Sequence, residues 1–318
     1  MNKKKVINSE NNIYMNKLKS FSTNIHINDV YLFPNKNILV LGNDTYKIYN
    51  KKEKCIREEK HVYYKYIKII DYDNFMCLKD DTKLISINIK TGKLIKLFEF
   101  TEEKINNLLY YGNKYITLNT NNKIKIWEKS SDIKFNCLTD ISLIKEKDEI
   151  LFIFLLPDKN ILIVNNDKEK ITYFIELDKI SIITKINDLS YRTLYQLNEN
   201  LIMFHYIDCH NSILNIYDFN KKELINKKIF HRFSLRNILT LPKKEIFLMA
   251  IQSYRNGKDV KYFEIIGLNY NCQEIFILNQ PIYHGHFGFK YFEEKNKKED
   301  IILIYEIYGP LNFISLIA

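Results

Sequence analysis

One recurring unit constrains the fold of this 318-residue chain more than any other feature. It is an apolar strand, a polar turn, a second apolar strand, another polar turn, and a third strand running into a Lys-rich turn. The first turn is clearest in VYLFPNKNILVLG (30–42), LLPDKNILIVNN (155–166) and LTLPKKEIFLMA (239–250). Variants stand at YDNFMCL (72–78), YGNKYITL (111–118) and LNENLIMF (197–204), with a degenerate last copy at EEKNKKEDIILIY (293–305). The first apolar residues after these turns are Ile38, Phe75, Tyr115, Ile161, Leu201, Ile246 and Ile301, on average about 44 residues apart. Runs such as ILVL (38–41), ILIV (161–164) and IILIY (301–305) are short, β-branched and bounded by Asn, Asp, Lys or Pro, which is the signature of strands. No amphipathic pattern is long enough for a helix of 12 or more residues.

A repeat of 40–45 residues is the period of a four-stranded propeller blade. The third strand and its turn carry a family resemblance. KIKIWEKSSDIKF (123–135), LNIYDFNKKELI (214–225), LISINIKTGKLI (84–95) and YKIYNKKEKCI (46–56) resemble the end of a WD40 repeat, where an apolar–x–apolar–Trp–Asp strand turns into the outer strand. Trp127 stands at the Trp position, Tyr49 and Tyr217 replace it in the first and fifth units, and Ile87 in the second. The Gly-His pair that opens a WD40 repeat occurs once, as Gly285–His286. The resemblance implies that the Asp–His–Ser/Thr–Trp hydrogen-bond network of WD40 blades is missing here, so that apolar stacking between sheets must hold them together.

The seventh unit has strands near 286–291, 301–307 and 311–317 and lacks a fourth. Residues 15–23, MNKLKSFST, suit that missing outer strand, and lending it would remove an unpaired edge. The expected fold is therefore all-β: a seven-bladed β-propeller of four-stranded antiparallel sheets, its last blade closed by an N-terminal strand. The domain reading is a polar tail over 1–14 and a single propeller over 15–318. An open stack of sheets or two β-sandwiches is the competing architecture.

The formal net charge of +10 favours anionic partners, but 43 of the 48 basic residues are Lys. With Asn, Ile and Tyr also abundant, A/T-rich coding accounts for that excess as readily as function does. Base and phosphate recognition leans on Arg forks, which are scarce. Cys55, Cys77, Cys137, Cys209 and Cys272 are scattered, which argues against a zinc framework or a disulfide scaffold. The polar N-terminus and the lack of a long apolar run predict neither a signal peptide nor membrane insertion, and a cytoplasmic or nuclear location.

No hydrolase elbow, metalloprotease helix motif, phosphate-binding loop or dinucleotide fingerprint is present. His284 and His286 are the one close His pair, and the nearby sequence offers no acid until Glu293, so no metal site is expected. Asp80–Asp81 recurs in position with Asn43–Asp44 and Asn121–Asn122, which marks turn chemistry rather than a catalytic pair. HVYYKYIKII (61–70) interleaves aromatics with Lys as nucleic-acid platforms do, yet at strand spacing it reads as core.

These readings predict a non-enzymatic scaffold without cofactors, binding other proteins through its loop faces. A nucleic-acid-associated module for RNA processing, using the positive charge directly, is the alternative. Where Lys is the default cation, Arg marks geometry that Lys cannot supply. Four of the five Arg fall between 192 and 255. Arg192, Arg232, Arg236 and Arg255, joined by Lys227, Lys228, His231 and Lys258, are the expected surface for an acidic protein segment or phosphate-bearing ligand. The plainer account is that these Arg pair with local acids such as Asp188 and Asp259.

Overall fold

The structure, a computed structural model, describes residues 4–5, 14–60, 64–100, 104–130, 135–141, 150–156, 159–166, 171–187, 193–208, 211–231, 233–241, 245–253, 262–280, 287–293, 300–306 and 310–317. Every regular element of more than one residue among them is a strand. Strands β1 (Lys4–Lys5) and β2 (Tyr14–Ser22) precede the first sheet, which is β3 (Asp29–Leu32), β4 (Ile38–Leu41), β5 (Thr45–Tyr49) and β6 (Cys55–Lys60). The second sheet is β7 (Tyr64–Ile69), β8 (Asn74–Lys79), β9 (Lys83–Asn88) and β10 (Leu94–Glu99). The third is β11 (Ile105–Tyr111), β12 (Lys114–Asn119), β13 (Ile124–Lys129) and β14 (Phe135–Ile141), and the fourth β15 (Ile150–Leu156), β16 (Ile161–Asn166), β17 (Ile171–Glu176) and β18 (Ser181–Ile186). The fifth is β19 (Thr193–Gln196), β20 (Leu201–Asp208), β21 (Asn211–Asp218) and β22 (Glu223–Phe230), and the sixth β23 (Phe233–Leu241), β24 (Ile246–Ser253), β25 (Tyr262–Asn269) and β26 (Glu274–Gln280). The last sheet holds β27 (Phe287–Glu293), β28 (Asp300–Glu306) and β29 (Pro310–Ile317), in the order β1-β2-β29-β28-β27.

The expectation of seven four-stranded sheets is thereby corrected. Among the described residues, six sheets have four strands, and the one that takes the N-terminal segment has five. The lent strand itself lies where its sequence placed it: β2 runs antiparallel to β29 from Tyr14 opposite Ile317 to Ser22 opposite Pro310. The fifth strand comes from the segment read as a polar tail, with Lys4 opposite Met15 and Lys5 opposite Tyr14. Each of the seven marker residues falls on the first or second position of its sheet's second strand.

The chain forms two compact units, one of Met1–Tyr31, Val40–Asn43 and Arg192–Ala318, the other of Leu32–Leu39 and Asp44–Tyr191. In the second of these, alternation along each strand sends successive side chains to opposite neighbours. Tyr115, Thr117 and Trp127 face the second sheet, where Tyr115 and Trp127 join Met76, Leu78, Leu84 and Phe100. Ile116, Leu118, Ile124 and Ile126 face the fourth sheet and pack on Ile153, Leu162, Val164 and Ile175. Both faces of the inner strands are thus covered, which is why β4 and β16 read as unbroken apolar runs rather than as alternating ones. In the other unit, Met203, Leu214 and Ile216 of the fifth sheet pack on Ile238, Phe247, Met249 and Leu268 of the sixth.

Asp80 and Asp81 both have positive φ, 54° and 59°, so the pair does form a left-handed turn. Lys68 of the aromatic–Lys stretch lies over the Tyr110 ring at 5.0 Å, and Lys65 is bonded to Asp81 at 2.8 Å. Both cations of β7 therefore have partners inside the chain.

Apolar stacking is supplemented by hydrogen bonds that the sequence did not advertise. Trp127 Nε1 donates to Thr117 Oγ1 at 2.9 Å, so the Thr–Trp half of the WD40 network, read as missing, does form in the third sheet. Elsewhere one side chain reaches a backbone carbonyl of the adjacent sheet. Tyr110 Oη donates to Tyr66 O at 2.6 Å, Tyr66 Oη to Asn106 O, and Tyr270 Oη to Leu197 O. Arg57 uses its whole fork, giving Nε to Ile89 O at 2.7 Å, Nη2 to Lys90 O at 2.6 Å and Nη1 to Glu59.

Candidate partner-binding surface

The surface is built from the outer strands, because there the ladder runs out of partners. Strands β6, β10, β14, β18, β22 and β26 each end their sheet's order, with no further strand paired to them among the described residues. A β-bulge recurs beside the third strand. In pairing, the outer strand skips Ile56 opposite Ile48/Tyr49, Leu138 opposite Ile126/Trp127, Ile183 opposite Phe174/Ile175, Ile225 opposite Ile216/Tyr217 and Ile275 opposite Gly267/Leu268. An extra residue breaks the in–out alternation; of the skipped residues Ile56, Leu138 and Ile183 are exposed, and Ile225 and Ile275 half-buried. Ile56, Leu94, Ile95, Leu138, Ile182, Ile183, Leu224 and Ile229 are all exposed and all lie on outer strands.

Strand β22 combines this with charge. Lys227 and Lys228 are adjacent in it, so they point to opposite faces. Lys227 is exposed. Lys228 is half-buried, with Nζ 5.8 Å from the centre of the Phe230 ring. His231 follows the strand, exposed, its Nδ1 3.2 Å from Asn211 Oδ1. Arg236 lies on β23, at the position skipped between Leu235 and Asn237 in pairing with β24. Arg192, Arg232, Arg255 and Lys258 lie outside the described residues. The structure thus brings Lys227, Lys228 and His231 together along one outer strand. Lys221 and Lys222 stand in the turn before β22, both exposed.

The described residues hold no group of three His, Cys, Asp or Glu placed to bind a metal. Burial raises the Cys272 thiol to about 11 against the opposing pull of Lys228, and burial also raises the Cys77 thiol. Both thiols stay protonated and unreactive near neutral pH. No helix among the described residues is long and apolar enough to cross a membrane.

Solved structures match this arrangement along nearly the whole chain. The WD40 domain of Toxoplasma gondii coronin superposes with a TM-score of 0.69 at 8% identity, over 99% of this chain and 89% of that one. The β-propeller domain of Myceliophteria thermophila Cps50 (Swd1) does so with a TM-score of 0.62 at 11% identity, over 95% and 99%. The fold is a WD40-type β-propeller. No protein-family profile and no curated protein matches the sequence. Its blades keep the strand–turn period while Tyr49, Ile87 and Tyr217 stand at the position that Trp127 holds in the third, all three buried.

Proposed function

We propose that this propeller is a non-enzymatic protein–protein interaction scaffold of the cytoplasm, binding acidic segments of other proteins through its loop faces. The observation that carries the reading is the likeness in fold to WD40 propellers over 95–99% of the chain. Such folds present rigid loops on a packed body, which favours recognition over bond making. Within that reading, Arg192, Arg232, Arg236, Arg255, Lys227, Lys228, His231 and Lys258 form the contact for the acidic segment.

The test is capture of native partners by wild type and by the Arg232→Glu/Arg236→Glu variant. Weaker capture at an unchanged melting temperature supports the reading, and unaltered capture removes this patch from it. Recovery of RNA instead of protein, with affinity falling steeply as salt rises, would replace the scaffold by a nucleic-acid-binding module.

A further inference from the structure

The outer edge of the fifth blade has three properties together. It ends the order β19-β20-β21-β22, with nothing paired beyond it among the described residues. It is long, eight residues from Glu223 to Phe230, and its bulge sits at one end, leaving Asn226–Phe230 in unbroken register with β21. It also mixes exposed apolar side chains, Leu224 at 48% and Ile229 at 39%, with the exposed cations Lys221, Lys222 and Lys227. Glu223 and Asp218 are the nearby acids, and Asp218 is already engaged by Lys221 at 4.0 Å.

We propose that β22 captures an extended acidic–apolar segment of a partner protein by strand addition. This rests on the scaffold reading and gives it a mode of binding. Free N–H and C=O groups along the edge supply the ladder, and alternate side chains of the incoming strand supply specificity. The chain already uses this geometry once. In the last blade β2 occupies the same outermost place, and β1 pairs on its outer edge. Charge decides between occupants. Lys on an edge repels a second copy of the same edge, which would bring Lys227 and Lys228 against their own kind. Leu224, Lys227 and Ile229 share one face of β22, opposite Tyr217, Asn215 and Ile213. That face attracts a strand that sets a Glu or Asp opposite Lys227 and a Val or Ile two positions to either side, over Leu224 and Ile229.

The probe is a fluorescein-labelled octapeptide of two Glu-Glu-Val-Val repeats, which sets Glu and Val in turn along each face, followed by fluorescence anisotropy with the full chain. Saturable binding is expected, at least tenfold tighter than that of the same peptide with Lys in place of each Glu. It is expected to weaken at least fivefold with Lys227→Glu and with Ile229→Ser, at unchanged melting temperature. Backbone N-methylation of the peptide keeps its charges and removes its donors, and is expected to abolish binding. Equal binding by the N-methylated peptide would show attraction by charge alone and overturn strand addition. No binding by any peptide, or self-association of the chain lost on Lys227→Glu, would overturn it as well. Either failure leaves the scaffold reading intact if native partners are still captured through Arg232 and Arg236.

Discussion

Tyr305 Oη donates to Asp29 Oδ1 at 3.0 Å, joining residues 276 positions apart in the chain. Asp29 also takes Lys290 Nζ at 3.0 Å and the Val30 amide at 2.8 Å, so one carboxylate ties β27 and β28 of the last blade to β3 of the first. Tyr305→Phe removes the neutral donor and leaves the ion pair. The expected loss is about 1.5–3 kcal/mol, the range for hydrogen bonds to charged groups. Asp29→Asn, which also weakens the Lys290 contact, is expected to cost more; chemical denaturation of both variants checks the order.

Arg57 and Gly92 are coupled. A Cβ on Gly92 would collide with Arg57 Nη1 and lie 2.7 Å from Glu59 Oε1, and φ there is +71°. Gly92→Ala is therefore expected to destabilise by at least about 1 kcal/mol, from strain at positive φ and from displacement of the fork. In an Arg57→Ala background the clash with the guanidinium vanishes, while the Glu59 contact and the backbone part stay. A double-mutant cycle is expected to show a smaller, non-zero cost for Gly92→Ala. Arg57→Lys should still destabilise, because an ammonium cannot meet the carbonyls of Ile89 and Lys90 as the planar fork does.

Trp127 lies between blades, its ring centre 5.4 Å from those of both Phe98 and Phe100. Trp127→Ala is expected to cost about 3 kcal/mol or more through the cavity left among these rings. Trp127→Phe keeps most of the packing and loses the bond to Thr117, for about 1 kcal/mol. Urea midpoints followed by circular dichroism separate the two. A loss below about 1 kcal/mol for the Ala variant would contradict an inter-blade role.

Alkaline pH should weaken the fold. Burial, with smaller contributions from nearby acids and thiols, raises Tyr49 and Tyr64 to about 12, and burial also raises Tyr46, Tyr270 and Tyr305. An unfolded phenol ionises near 10. Between about pH 10 and 12 the unfolded chain therefore releases protons that the folded chain keeps, and stability falls as pH rises. Below pH 10 these groups are protonated in both states and contribute no slope. Denaturant midpoints at pH 9, 10 and 11, with a further rise in phenolate absorbance on unfolding, check this.

Asp80 and Asp81 sit at positive φ in the β8–β9 turn. Asp80→Gly should be neutral or stabilising, and Asp80→Val should cost about 1 kcal/mol or more, because a β-branched side chain is crowded there. Thermal melts of the two variants should move in opposite directions or, for Gly, hardly at all.

Much of the fold was legible in the residues themselves. Turn residues such as Asn160 and Asp80–Asp81, and apolar runs at a period of about 44, set the strand boundaries. They do so because left-handed turns and β-branched strands are local preferences. The pairing of residues 15–23 with 311–317 also followed from the count, since an unpaired edge is costly wherever along the chain its partner lies. The extra strand at Lys4–Lys5 did not follow, because two Lys carry no strand pattern.

Only the tertiary structure decided what each surface residue meets. Arg57 has geometry that Lys cannot supply, and no local pattern announces it, because the carbonyls of Ile89 and Lys90 come to it from another blade. Lys227 and Lys228 look alike in sequence. One is exposed and the other lies over Phe230, because neighbours in a strand face opposite ways and only the next blade determines which face is covered. Leu224 and Ile229 are exposed on β22, which ends its sheet among the described residues, and strand order is fixed by packing between distant segments rather than by any local pattern.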